Sequence, residues 1–356
     1  MEALFELGRW GKAAQLSEPL AHQPVSFDNA IVQSKLAELE AAGGEPAAAL
    51  ARLDRVREHG WRPGPRHAQD LGQSRAEAQL WLGRPQPALA DVTQALDTVA
   101  GTGQEQFAGR LFCLGARALA DLAEQARDRQ DPAAAARVRQ HASLLASRLT
   151  EMTPHPFAPG RNMPATAAAE QALWDAERAR LDGAAGPAAW QAAADAWQHL
   201  GRPYPAAYAQ WRHADALLAS GAGCDPAAGP LRAAHTAAAS LGAAALRTQI
   251  EALARRARIS LAPAGPEPAP APARPHGLTD READVLRLLA AGCTNREIGQ
   301  RLFMSPKTAS VHVTSILRKL AVRDRVQAAA IAIRLGLADP PMSRGDKPPA
   351  ADPQQR

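Results

Sequence analysis

The sequence predicts an all-α chain with a long helical repeat region, a proline-rich linker and a small basic helical module near the C-terminal end. Three observations carry that expectation. Of 356 residues, 46% are hydrophobic and only 4% aromatic, and alanine, the best helix former, supplies much of the apolar share. Val, Ile, Thr, Tyr and Phe seldom alternate with polar residues over four or more positions, so few strands are expected. Finally, a Gly-centred turn recurs between apolar helical stretches before the linker.

That turn appears as Leu7-Gly8-Arg9-Trp10 ahead of Ala13-Ala14, and as Ala42-Gly43-Gly44-Glu45-Pro46 ahead of Ala49-Leu50. It returns as Leu82-Gly83-Arg84-Pro85 ahead of Ala88-Leu89, and as Leu200-Gly201-Arg202-Pro203 ahead of Ala206-Ala207. Each copy reads as a helix ended by Gly, a short turn, and a helix begun at Pro or a polar residue. Gly44 and Gly83 are 39 residues apart, and Gly83 and Gly201 are 118 apart, close to three such steps. Spacings of this size suggest an α-solenoid similar to tetratricopeptide repeats; an irregular helical domain is the plainer alternative. Pro154, Pro156, Pro159, Gly160 and Pro164 interrupt the pattern, either separating two helical repeat blocks, 1–152 and 166–261, or marking a long loop. Trp174, Trp190, Trp197 and Trp211 either line a ligand groove or fill the core, and core is the simpler expectation.

Residues 262–277 place proline at nearly every second position, which removes backbone donors and enforces an extended, semi-rigid spacer. The polar, proline-rich tail, 339–356, is expected to be disordered. Between them, residues 278–338 hold ten basic and five acidic side chains, and this excess equals the net charge of +5 of the whole chain. Such a distribution suits a nucleic-acid module on a neutral carrier, with a merely solvated basic face as the alternative.

Composition excludes several classes. Cys113, Cys224 and Cys293 are distant and odd in number, which argues against a disulfide framework and against a zinc site. No apolar run is long enough to span a membrane, and the acidic start Met1-Glu2-Ala3-Leu4-Phe5-Glu6 lacks the features of a signal peptide. A cytoplasmic location is therefore expected. Nucleophile-elbow, zinc-protease and dinucleotide motifs are absent, as are the alternating strands and helices of a receiver domain. The chain is read as a non-enzyme with no metal and no cofactor.

In the basic module, Thr279 and Glu282 have the spacing of a capping box that opens a first helix, whose apolar face is Val285, Leu286, Leu288 and Leu289 and which Gly292 ends. Thr294 and Glu297 form a second capping box, starting a short helix through Leu302. Phe303 and Met304 make a turn. Ser305 then caps a third helix with Pro306 at its first position. A short helix, a tight turn and a longer helix form a helix-turn-helix layout. At about 100° per residue, Val313, Ile316, Leu317 and Leu320 share the inner side of the third helix. Lys307, Ser310, Val311, Thr314 and Arg318 share the opposite side, which carries no acid. A β-branched apolar residue at Val311, on a face that should be wet, is explained by a thymine methyl in the major groove, and Ser310 and Thr314 are suited to base edges. Lys307, Thr308, Arg318 and Lys319 are placed to hold phosphates of double-stranded DNA.

These residues also carry a resemblance. The runs Leu278-Thr279-x-Arg281-Glu282-x-x-Val285-Leu286, Thr294-Asn295-Arg296-Glu297-Ile298, Ser305-Pro306-Lys307-Thr308-Ala309-Ser310-Val311-His312-Val313, Ile316-Leu317-x-Lys319-Leu320 and Arg325-Val326-Gln327-Ala328-Ala329 resemble the LuxR-type DNA-binding domain, a four-helix module. Three positions depart: Asp284 where Glu is usual, Gly299 for Ala, at some expense of helix stability, and Ala309 for Val. The resemblance implies that Ser310, Val311 and Thr314 face bases and that Lys307, Thr308 and Lys319 lie near the DNA backbone. It also implies that a fourth helix, about Asp324 to Leu335, forms a homodimer contact. Val326, Ala329, Ala330 and Ile333 repeat there at helical spacing, although burial within the module explains them equally well. His312 reads as structural rather than as a pH switch.

The preceding region is similar to the helical part of large ATP-binding, MalT-like LuxR regulators, on weaker text: the Leu-Gly-Arg turns, Leu217-Leu218-Ala219-Ser220-Gly221, and Ala252-Leu253-Ala254-Arg255-Arg256-Ala257-Arg258. Gly8-Arg9-Trp10-Gly11-Lys12-Ala13 has neither the spacing nor the hydroxyl of a phosphate-binding loop, so no ATP site is expected. The resulting expectation is a sequence-specific transcriptional regulator whose helical repeats sense a protein or small-molecule effector. The alternative is a helical interaction scaffold with a vestigial or non-specific DNA-binding module.

Overall fold

The computed structural model describes residues 2–21, 23, 29–58, 64–158, 164–184, 186–262, 278, 280–302 and 304–334. Linker residues 263–277, Thr279, Phe303 and everything from 335 onward lie outside the described residues. Within them the regular structure is all helical, with no strand. The chain forms two compact units, residues 1–263 and 264–356. No helix among the described residues is long and apolar enough to cross a membrane.

The first unit runs through α1 (Glu2–Glu6), α2 (Trp10–Ala21), α3 (Ala30–Ala42), α4 (Pro46–Glu58), α5 (Pro65–Trp81), α6 (Pro85–Val99), α7 (Gly109–Asp128), α8 (Pro132–Glu151), α9 (Ala167–Leu181), α10 (Pro187–His199), α11 (Pro203–Ala219), α12 (Cys224–Leu241) and α13 (Ala244–Ala257), with a 3-10 turn at Glu105–Phe107. Neighbours in sequence pack as helical hairpins, and the recurrent turn explains how. At the end of α5, Gly83 takes φ +69°, its N–H donates to Leu80 at 3.0 Å, and the Arg84 N–H donates to Gln79 at 2.9 Å. Gly201 repeats this at φ +62° between α10 and α11. A left-handed residue satisfies the last carbonyls of one helix, and Pro at the next first position begins the other without losing a hydrogen bond.

A further copy has no glycine. Between α7 and α8 the left-handed residue is Gln130, at φ 53°. The Asp131 N–H donates to Ala126 at 2.9 Å, and the Asp131 side chain accepts from the Ala134 N–H at 2.9 Å. The pattern of glycines passes over this turn because an Asp N-cap and Pro132 do the same work with other residues.

The described residues just after α8, 152–158, form a loop inside one packed unit. Phe157, from that loop, lies 6.4 Å from Trp174 of α9, which in turn meets Phe112 of α7 edge-on at 5.9 Å. Blocks 1–152 and 166–261 therefore share a core. Trp174, Trp190, Trp197 and Trp211 are all buried. The array also closes on its own beginning. Trp10 stacks on Phe5 at 5.1 Å and meets Tyr204 of α11 edge-on at 5.2 Å, while Glu6 pairs with Arg202 at 2.6 Å. α13 packs against α3.

Polar contacts tie the inner helices. Arg110 of α7 bridges Glu38 of α3 and Glu77 of α5. Burial alone would push the Glu38 carboxyl up, but the charges and hydrogen bonds of Arg110 and Lys35 outweigh it and hold Glu38 at about 2. The Tyr204 hydroxyl donates to Glu77 at 3.0 Å and accepts from the Trp81 indole at 3.1 Å.

The second unit contains α14 (Asp280–Ala290), α15 (Asn295–Arg301), α16 (Pro306–Lys319) and α17 (Arg325–Arg334). Its core joins all four helices through Val285, Leu286, Leu289, Ile298, Ala309, Ile316, Leu320, Ala328 and Ala332.

Candidate nucleic-acid interface

Local chemistry sets the ends of α15 and α16. The Thr294 hydroxyl accepts from the Glu297 N–H at 3.3 Å, and the Glu297 carboxylate accepts from the Thr294 N–H at 2.7 Å. These bonds from Thr294 hold the Glu297 carboxyl below the usual range. Ser305 caps α16, its Oγ accepting from the Thr308 N–H at 3.0 Å and lying 2.7 Å from the Thr308 hydroxyl. Pro306 follows at the first helical position. In the turn between them, the Met304 N–H donates to the Gly299 carbonyl at 2.9 Å. A Cβ at position 299 would stand 2.7 Å from the Met304 carbonyl oxygen. Gly299 thus lowers the helix propensity of α15, as its sequence suggests, but also lets the turn close against that helix.

α16 has two unlike sides. Ala309 and Ile316 are fully buried and Leu320 nearly so, with Val313 and Leu317 half-buried beside them. Lys307, Ser310, Val311, Thr314 and Arg318 are exposed, Val311 at 63%. The Thr314 hydroxyl donates to the Ser310 carbonyl at 3.0 Å, leaving its lone pairs free to accept. Thr308 is exposed and engaged in the Ser305 cap. His312 is half-buried at the edge between the two sides.

Lys319, expected near the DNA backbone, also has a partner inside the module. Its Nζ lies 2.6 Å from Glu282 of α14, and its side chain is 28% exposed. Glu282, only 5% exposed, also accepts from the Ser315 hydroxyl at 2.7 Å. Thr279, the expected capping partner of Glu282, lies outside the described residues. The Glu282 carboxylate clamps α16 onto α14, and this occupies Lys319 within the fold. These partners are 33 and 37 residues apart, and no short-range signal links them.

α17 is seated by two devices. Asp324 accepts from the Val326 and Gln327 N–H groups, each at 2.9 Å. Arg325 donates to the Cys293 carbonyl at 2.5 Å, and Arg301 reaches the Cys293 sulfur at 3.0 Å. The buried positions of α17 are Ala328 and Ala332. Within the stripe singled out in the sequence, Ala329 and Ile333 are half-buried, Ala330 is exposed and Val326 is 72% exposed. Among the described residues of this unit, Val311 and Val326 are its exposed large apolar side chains.

Comparison with known proteins agrees with this geometry. The family profile described as bacterial regulatory proteins, luxR family (GerE), matches residues 276–332. The transcriptional regulatory protein LiaR of Bacillus subtilis is 54% identical over 63 residues, covering 17% of this chain and 30% of that protein. The DNA-binding transcriptional activator DevR/DosR of Mycobacterium tuberculosis is 43% identical over 72 residues, 20% of this chain and 32% of its own length. The putative HTH-type transcriptional regulator Mb0914c of Mycobacterium bovis is 46% identical over 66 residues, 18% of this chain and 8% of its own. The chain thus spans less than a third of each of these relatives. No solved structure matches the chain. The C-terminal module of this chain belongs to the LuxR family of bacterial regulatory helix-turn-helix domains.

Proposed function

We propose that this chain is a sequence-specific, DNA-binding transcriptional regulator acting in the cytoplasm, with α16 as its recognition helix. The single observation that carries this reading is the exposure of Val311 at 63% on a helix whose opposite side is anchored in the core. An apolar branched side chain between Ser310 and Thr314 suits a major-groove floor. Ser310, Val311 and Thr314 contact bases, while Lys307, Thr308 and Arg318 hold phosphates, assisted by the N-terminal end of α16. Two copies bind two half-sites, with Val326, Ala329, Ala330 and Ile333 of α17 as the homodimer surface; the exposure of Val326 favours that role. The helical unit senses an effector, either a protein or a small molecule.

A gel shift against genomic fragments tests this proposal. Retention of particular fragments that weakens steeply as salt rises, and disappears in Val311→Asp, is the expected result. Equal retention of all fragments, unaffected by Val311→Asp, would favour a non-specific module on an interaction scaffold.

A further inference from the structure

The first unit holds a partly open cavity of about 450 Å³ walled by α1, α3, α5, α7, α9, α10 and α11, within the range of small-molecule sites. One cation in its wall is unlike the rest. Arg117 of α7 is 8% exposed, and its guanidinium lies over the rings of Trp81 at 4.4 Å and Tyr208 at 4.7 Å. No side chain among the described residues hydrogen-bonds or ion-pairs with the guanidinium, whose Nε is fully buried without a partner, although Asp121 and Glu177 are close enough to favour its charge. Cation–π contacts recover only part of what desolvating a guanidinium costs. The Trp197 indole N–H, from the same lining, is also buried without a partner.

Several of the other charges around the cavity are paired with one another. Lys35 pairs with Glu38, Arg110 with Glu38 and Glu77, and Arg202 with Glu6. Glu177 accepts from Tyr208 and pairs with Arg180 at 3.2 Å. A planar donor with no bonded counter-ion, beside aromatic rings in a volume of this size, suits an anion with an apolar body. The carboxylates in the same wall would repel a second negative charge.

We infer that this cavity binds a small organic monocarboxylate, whose carboxylate meets Arg117 and whose apolar body lies against the aromatic wall. This rests on the reading of the helical unit as the sensing part, and it names the chemical class of the effector. Arg117 is the charge anchor, and the Trp197 N–H is the second donor.

The test uses the intact chain without DNA. Straight-chain and aryl-substituted alkanoates of four to ten carbons are titrated, each beside its primary amide, with tryptophan fluorescence and thermal unfolding as readouts. The expected result is that at least one acid binds and raises the melting temperature, while its amide binds at least about tenfold more weakly. Arg117→Met should weaken that acid by at least the same factor, and Trp197→Phe should weaken it less. Failure of every acid to bind at up to about 10 mM, or equal binding of acid and amide, overturns the proposal. So does full affinity in Arg117→Met; should that variant not fold, the acid–amide comparison on the native chain decides alone. A gel shift on the same preparation separates this outcome from failure of the regulator reading, because loss of ligand binding with intact DNA binding removes only the ligand assignment.

Discussion

Replacing Lys319 by Met asks whether this lysine serves the fold or the DNA. Its ammonium sits 2.6 Å from Glu282, which is almost completely buried and also holds Ser315. Breaking a buried pair from one side typically costs about 3–5 kcal/mol, because the remaining charge has no counter-ion. Lys319 keeps 28% of its side-chain surface, and Ser315 still donates to the carboxylate, so about 2 kcal/mol is the expected loss. In a four-helix module of this size that lowers the melting temperature by roughly 10 °C. Glu282→Gln retains an acceptor for Ser315 and should cost less, and the double variant should show a coupling of about 1–2 kcal/mol. Circular dichroism melts measure the stabilities, and gel shifts at several salt concentrations measure the DNA side. A phosphate contact contributes about 0.9 to the slope of log affinity against log salt. The expected outcome is a lower melt with an unchanged slope. An unchanged melt, with a slope shallower by about that amount, would refute the assignment of Lys319 to the fold.

Lys307→Ala should do the opposite, leaving the melt in place and reducing the salt slope by about 0.9, because this exposed side chain is not part of the core. Thr314→Ala should shift preference at one base position by about 1–3 kcal/mol, read by binding to a library of single base-pair variants of a retained fragment. Ala321 follows α16 at φ 55°, a backbone conformation that glycine adopts without strain; Ala321→Gly should raise module stability by about 1 kcal/mol, seen as a higher melt. Glu38 is held at about 2 against an ordinary 4.5, so its stabilising contribution is complete above the ordinary value and is lost as pH falls toward the lower one. Glu38→Gln should remove an acid-sensitive contribution on the order of 3 kcal/mol, visible as a flatter dependence of helical-unit stability on pH, followed by tryptophan fluorescence.

Much of the module is legible in the sequence because its signals are local. The Thr294–Glu297 capping box, the Ser305-Pro306 start and the apolar spacing Val313, Ile316, Leu317 and Leu320 all depend on residues within two turns of one another, and the structure places them as that spacing implies. The same holds for the Gly83 and Gly201 turns, where one left-handed residue ends a helix. The turn at Gln130 escaped that reading because the same backbone was reached with other side chains.

Contacts between distant segments were decided only in three dimensions. Glu282 finds Lys319 and Ser315 because α14 and α16 cross, and helix spacing within either one says nothing about that meeting. Phe5, Trp10 and Tyr204 meet because the helical array turns back on its start, and the cavity around Arg117 exists only once that closure has formed. Periodicity along a chain determines which side of a helix is apolar. Which charged groups are stranded inside, and beside what, follows from how many helices are brought together and in what order around a common centre.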